Sequence, residues 1–454
     1  MFKESALELS AAIKDKKYSV GEIVNAYIES IEKKDNKLNT FITITKEHAL
    51  SRAREIQSQI DSGKTLSPLA GVPIALKDDI STIDIETTCA SKTLAGYKPI
   101  FNATVVDRLE QAGMIVIGKL NMSEFAMDGT GVFGAVQNPW DIFRAAGDGS
   151  AAAVAAGEAP ISLGSDAGGN IRQTCSFCGV TGIKPTYGAV SRHGLIANVS
   201  SFDQIGTVGK TIDDCAALLS IISGADGIDG TCVMPTPFVF DNAKAQQLDG
   251  VKIGLPRNCL GNDFEEDVKI AVLAAAKEFE AAGAIIEEFE MPLTDYISSA
   301  WYIIACAEAS SNLARFDGLK FGHRSTNAKT LSDVYRLSRS EGFGTEVKKR
   351  VMFGSLVLSS GYYDAYYRKA MQVRTLVKDE YAKLFSRFNM ILSPAVSATI
   401  NYSTNLAGLP AAALPCGLDK QGLPVGFQLI GKAFSEGKLI EAARVYQSRM
   451  GASS

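Results

Sequence analysis

The sequence predicts an α/β protein with a central mixed, twisted sheet covered by helices on both faces, and three observations lead there. Short apolar, strand-like runs alternate with helix-period segments along most of the 454 residues, the pattern of a sheet sandwiched between helical layers. Hydrophobic residues make up 46% of the chain and charged residues 21%, a balance that lets a globular protein bury a large core. One long stretch, 296–385, keeps helical periodicity but has no strand signal, and reads as a helical insertion between sheet elements.

In chain order, residues 1–65 read as helices. Ser19-Val-Gly-Glu22 is a capping-box pattern opening VGEIVNAYIESIEKK, and Lys46 to Ile60 repeats apolar positions at helical spacing. Residues 66–295 form the core. Its expected strands are Gly71–Leu76, Met114–Gly118, Ala159–Leu163, Val251–Leu255 and Ala284–Phe289, separated by helices such as Ala103–Ala112, Ile212–Ile222 and Glu265–Ala282. The small-residue run Ser150–Gly157 is expected to be a buried helix, because small side chains let a helix pack closely beneath a turn. Residues 386–454 return to the sheet through Met390–Leu392 and Val425–Ile430. With no repeat and no low-complexity linker, 1–454 reads as a single domain, although the length alone allows three.

The formal net charge of −4 provides no basic field for direct capture of nucleic acid. Of the eight cysteines only Cys175 and Cys178 lie close in sequence, and they lack the second pair that a zinc site needs. Free thiols in a reducing cytoplasm are expected, with no metal and no cofactor. The N-terminal MFKESALELSAAIKDKK carries charges every few residues, and no run of about 18 apolar residues follows. Neither export nor a membrane span is expected.

The most informative stretch is ISLGSDAGGNIRQTCSFCGVTGIKPTYGAVSRHGLI. An apolar run, Ile161 to Leu163, enters the turn Asp166-Ala167-Gly168-Gly169, where unshielded backbone N–H groups can form an oxyanion hole. This stretch resembles the core motif of the amidase signature family. The resemblance runs nearly the whole length: GVPIALKDDI from Gly71, NPWDIFR from Asn138, SAAAVAAG from Ser150, KPTYGAVSRHGL from Lys184, SFDQIGTVGKT from Ser201, LSSGYYDAYYRKA from Leu358 and NLAGLPAAALPCG from Asn405. It is strongest to the tRNA-dependent amidotransferase branch, whose members free ammonia from glutamine for a partner protein. The resemblance implies the amidase-signature fold, a small amide-like ligand, and B- and C-like subunits or a second copy as partners.

The family's mechanism uses a nucleophilic serine, a relay serine in a cis peptide and a lysine kept neutral by burial, since a hydroxyl is a poor nucleophile until a base takes its proton. By the resemblance, Lys77 is the lysine, Asn170 stands at the nucleophile position and Ala146 at the relay position. An amide side chain is not nucleophilic at neutral pH, and losing members of such a unit removes most catalysis. Other departures fall around the same pocket. Met127–Trp140 and Pro394–Asn405 are shortened, the latter without the carboxylate that holds the glutamine amine, Ala167 replaces threonine, and Asp148 is new in its Gly turn. Arg350, where relatives hold the substrate carboxylate, is retained.

Each residue also has a plainer reading. Lys77 can be a lysine neutralised by the adjacent Asp78 or Asp79, Arg350 an exposed charge on a basic helix, and Asp166 a turn residue bonding backbone N–H groups. Cys175 is a buried core residue or a substitute nucleophile; Asp148 is a turn residue, or an acid/base if it points inward; His193 is a packing residue. Three functions follow in order: an impaired amidase-fold protein with a binding or assembly role, an enzyme with a rebuilt site, and a working glutamine-hydrolysing subunit.

Overall fold

Capping boxes start the first two helices: Ser5 and Ser19 each accept from the backbone N–H three residues on, and Glu8 and Glu22 close the return bond. The structure is a computed structural model that describes residues 4–64, 67–234, 236–241, 247–260 and 264–452. It begins with α1 (Ala6–Lys14), α2 (Val20–Leu38), β1 (Phe41–Ile44) and α3 (Lys46–Asp61). The strand β1 corrects the all-helical reading of residues 1–65. Asn39 ends α2 in the left-handed region at φ 57°, which turns Phe41-Ile-Thr-Ile out as an edge strand.

The core follows as β2 (Pro73–Lys77), α4 (Thr104–Gln111), β3 (Ile115–Leu120), a small hairpin β4 (Gln137–Asn138) and β5 (Asp141–Ala145), then α5 (Gly149–Ala156), β6 (Ile161–Asp166), α6 (Asn170–Cys178), β7 (Thr181–Lys184), β8 (Gln204–Gly209) and α7 (Ile212–Ile222). Next come β9 (Lys252–Pro256), α8 (Glu266–Ala281) and β10 (Ile285–Phe289). The stretch without strand signals holds α9 (Thr294–Asn312), α10 (Leu331–Gly342), α11 (Thr345–Val357) and α12 (Tyr367–Arg387). The chain returns as β11 (Met390–Pro394), α13 (Ala398–Ala407), β12 (Ala411–Leu418), β13 (Pro424–Gly431) and α14 (Glu436–Ala452).

Eleven strands form one sheet in the order β1-β3-β2-β6-β8-β7-β12-β13-β11-β9-β10. It is mixed: β2 runs parallel to β3 and β6, and β9 parallel to β10 and β11, while β8, β12 and β13 pair antiparallel to their neighbours. Strands β2, β3, β6, β8 and β13 are buried at every position, as a sheet covered on both faces requires. The small-residue run is the buried helix α5, closed by Gly157 in the left-handed region at φ 68°. Helices α9, α12 and α13 share a second apolar cluster in which Trp301, Ile304, Val377 and Ile400 pack against Ala167, Ile391 and Ala411. That cluster lays the helical insertion over the Gly-rich turn.

Candidate active site

Lys77 ends β2 and Asp166 ends β6. These strands are parallel neighbours in the register Leu76 to Leu163, so both deliver their last residues to one edge, where α/β sheets place their ligands. After Asp166 the chain turns through Gly169 at φ 115° into α6. Both glycines are set by close approach as well. A Cβ on Gly168 would lie 2.6 Å from Trp301 Cζ2, and one on Gly169 2.8 Å from Asn401 Nδ2.

The Asp166 carboxylate holds the turn, as the turn reading expected. It accepts from Gly169 N at 2.8 Å, Ile171 N at 3.2 Å, Arg172 Nη2 at 3.0 Å and Asn405 Nδ2 at 3.1 Å. Burial alone would raise its pKa, but the Arg172 guanidinium beside it holds the carboxyl down at about 2. Arg172, itself fully buried, also donates to Asn401 Oδ1 at 2.8 Å, Gln428 Oε1 at 3.2 Å and Asn405 Oδ1. Four elements therefore meet on one ion pair: β6, α6, α13 and β13. Near it, burial and Arg172 pull the buried Lys184 down to about 7.

Lys77 is fully buried, and its Nζ lies 2.6 Å from Asp148 Oδ2 and 3.3 Å from the Ser165 carbonyl. Burial disfavours the ammonium, yet Asp148 first, with Asp79 and Asp166, more than reverses it and raises the lysine above its ordinary value. A lysine so held is charged and has no lone pair to take a proton. The expected neutralisation by an adjacent carboxylate is thus corrected. Asp78 is bonded to Thr88 and paired with Lys119 at 3.7 Å, and Asp79 accepts from Ser165 Oγ at 2.5 Å, so the nearest partner is the distant-in-sequence Asp148. Asp148 points inward, 4% exposed, and its other oxygen caps α5 by accepting from Ser150 N at 2.7 Å.

Ala146 is buried among Val136, Ile171 and Cys175, with its N–H bonded to the Val136 carbonyl at 2.8 Å. Among the described residues no peptide bond is cis. A Cβ on Gly147 would lie 3.3 Å from Thr174 Cγ2, so this turn rests against α6. Asn170 opens α6, its carbonyl accepting from Thr174 Oγ1 at 2.6 Å. The structure therefore gathers Lys77, Ala146, Asp148, Ala167, Gly168, Gly169 and Asn170 around the carboxyl ends of β2 and β6.

Arg350 is not the exposed charge of the plainer reading: it is 2% exposed on α11. Its guanidinium carbon lies 5.9 Å from the Trp301 ring and 5.4 Å from the Tyr302 ring. It pairs with Asp128 and, at 3.5 Å, with Glu346. Trp301 links it to the turn: the indole N–H donates to the Ala167 carbonyl at 2.9 Å, and the ring stacks on Tyr402 at 4.1 Å. Sequence reading missed Arg172, Trp301, Tyr402 and Asp128 as parts of this neighbourhood. Only Arg172 left a signal, an arginine three residues behind Gly169 and next to the apolar Ile171.

Cys175 is fully buried and its thiol is pushed well up by burial, so it is a core residue. The seven described cysteines are unbridged and buried; the side chain of Cys259 lies outside the described residues. His193 stacks on Phe101 with ring centroids 5.2 Å apart. Among the described residues no group of three or more His, Cys, Asp or Glu is placed to hold a metal, and no helix is long and apolar enough to cross a membrane.

With this geometry in place, comparison with known proteins gives a consistent result. The family model described as Amidase matches residues 22–402 and 397–440. The A subunit of glutamyl-tRNA(Gln) amidotransferase from Agathobacter rectalis is 49% identical over 468 residues, spanning 98% of this chain and 93% of that protein. The protein of the same name from Geobacillus kaustophilus is 44% identical, spanning 98% and 97%. Among solved structures, the Thermotoga maritima protein of that name is 35% identical with a TM-score of 0.79, covering 98% of this chain and 94% of that one. The peptide amidase of Stenotrophomonas maltophilia is 27% identical with a TM-score of 0.85, covering 98% and 97%.

Proposed function

The chain belongs to the amidase family, and from that premise we propose that it is a relative of the glutamine-hydrolysing amidotransferase subunits whose own amide hydrolysis is impaired and whose role is binding or assembly. The observation that carries this reading is the buried Lys77–Asp148 ion pair at 2.6 Å. It keeps charged the residue that the family's chemistry needs neutral, in a site where Asn170 and Ala146 offer no hydroxyl. The Gly-rich turn and Arg350 remain to hold a small amide that carries a carboxylate. Its partners on this reading are B- and C-like amidotransferase subunits or a second copy of the chain, consistent with relatives that are themselves named as subunits. No step of this role needs a cofactor.

The test is ammonia release from glutamine, asparagine and a set of small primary amides by the purified chain, beside Asn170→Ser and Asn170→Ser/Ala146→Ser. The parent is expected to release none above background. Activity in the parent that survives Asn170→Ala but is lost with Lys77→Ala would overturn the reading. It would favour the alternative, an active amidase or amidotransferase acting on a non-peptide C–N bond through a rebuilt site. One observation speaks for that alternative: 49% identity over 98% of the chain to an amidotransferase A subunit.

A further inference from the structure

The Arg350 guanidinium is buried from one side and guarded from the other. Trp301 and Tyr302 cover it inward, Glu346 reaches it from the preceding turn of α11 only at 3.5 Å, and its tight partner is Asp128, whose side chain is 75% exposed. Asp128 arrives on the short, mostly exposed connection between Met127 and Gly134, whose far end is anchored by Val132 N to the Ala90 carbonyl at 2.9 Å and by Asn39 Nδ2 to the Phe133 carbonyl at 2.7 Å. A solvent-side carboxylate on a buried arginine does chemically what the carboxylate of a small ligand would do.

Resting on the reading that Arg350 holds the ligand carboxylate, we propose that Asp128 is a built-in competitor that occupies the ligand's place on Arg350 and swings out only when another carboxylate takes over. The exchange must be anion for anion. Opening Asp128 without replacement leaves a guanidinium that is 2% exposed facing Trp301 with a weak partner only, and a buried charge stripped of its partner is costly. A neutral ligand of the same shape therefore does not open the site. The apparent affinity of any carboxylate is its intrinsic affinity multiplied by the fraction of the protein in which Asp128 is off Arg350.

The chain holds two tryptophans, and Trp301 stands 5.9 Å from the guanidinium carbon, so Trp140→Phe leaves one reporter at the site. L-Glutamine and its α-amide, which lacks the carboxylate, would be titrated into this background by calorimetry and by Trp301 fluorescence. Asp128→Ala and Asp128→Asn would be compared with the parent, and Arg350→Gln serves as the control. Asp128 is exposed, so its variants are expected to fold. The expected result is about tenfold tighter glutamine binding in Asp128→Ala, a smaller gain in Asp128→Asn, no glutamine binding in Arg350→Gln, and no binding of the α-amide to the parent. Equal affinity in parent and Asp128→Ala would overturn the competitor role while leaving Arg350 as the anchor. Binding that ignores Arg350→Gln, or is absent from parent and both Asp128 variants, would overturn the anchor reading and the competitor with it.

Discussion

Two turns border the same crevice, and they are built on opposite principles. The turn from Asp166 to Gly169 is bonded from every side, its carboxylate accepting from two backbone N–H groups, Arg172 and Asn405. The turn from Ala146 to Asp148 rests on a methyl group, a glycine at φ 92° and one inward carboxylate that doubles as a helix cap. The first is part of the fold's own electrostatics, so a change there strands a buried charge. The second carries side chains whose value, by the family resemblance, lies in chemistry and not in folding. Such a turn can exchange a hydroxyl for a methyl, take up a carboxylate and still fold, provided the new charge meets an old one, as Asp148 meets Lys77.

The sharpest way to break that contrast is Arg172→Ala. It leaves Asp166 buried without its cation and Asn401, Asn405 and Gln428 without their shared donor, so it should cost roughly 3–5 kcal/mol, read as a fall in the denaturation midpoint. A loss no larger than that of Asp148→Gly would mean that the two turns do not differ. The same network makes a pH prediction through Lys184. Folded Lys184 loses its proton at about 7, against an ordinary 10.5, so between those values the unfolded chain binds more protons than the folded one. Stability therefore gains from Lys184 as pH rises through that window, on the order of 2 kcal/mol between pH 7 and 9. Lys184→Met should flatten that part of the profile, and an unchanged slope would remove Lys184 from the account.

How much of this was legible in the sequence depends on whether the signal was local. Strands β2, β3, β6, β9, β10, β11 and β13 show as runs such as Pro73-Ile-Ala-Leu and Ile115-Val-Ile, and helices α2, α3, α4, α7 and α8 show by period and caps. Strands β7 (Thr-Gly-Ile-Lys), β8 (Gln-Ile-Gly-Thr-Val-Gly) and β12 (Ala-Ala-Ala-Leu-Pro-Cys-Gly-Leu) did not, because glycine, alanine and proline carry no strand preference. Central position in the sheet overrides their propensity. The Gly-rich turn and its Asp166 were readable, since every contact that defines the turn's shape lies within a few residues. The partner of Lys77 was not: Asp78 and Asp79 are adjacent, but the chain direction at the end of β2 sends them to Thr88, Lys119 and Ser165. The stacking of Tyr402 on Trp301 was invisible for the same reason, being made by α13 meeting α9.

The second turn can be sharpened directly. Asp148→Gly removes the carboxylate nearest to Lys77, after which burial, the strongest opposing influence, pulls the ammonium down. The cost in stability should stay near the value of the lost cap, about 1 kcal/mol, because Lys77 can shed its proton and Asp148 no longer has to be buried. In the Asn170→Ser/Ala146→Ser background the same change should raise ammonia release from glutamine by about tenfold or more over the double variant alone. Equal rates with and without Asp148 would mean that the ion pair does not restrain Lys77.

The smallest expected effect belongs to Cys175, the residue on α6 that could have rescued nucleophilic chemistry. Its sulfur sits among Ala146, Ile171 and Val208 with no exposed surface, 2.6 Å from where a Cβ on Gly182 would lie. Burial pushes its thiol well above the ordinary range, so there is almost no thiolate at neutral pH, and a thiol without thiolate is a poor nucleophile. Cys175→Ala should therefore cost about 1 kcal/mol through the vacated volume and leave glutamine and amide assays unchanged. Should ammonia release be present in the parent and vanish in Cys175→Ala with the denaturation midpoint intact, the turn before α5 would no longer be the place where this chain departs from its family. The departure would instead lie one helix away, in a nucleophile moved from Asn170 to the second turn of α6.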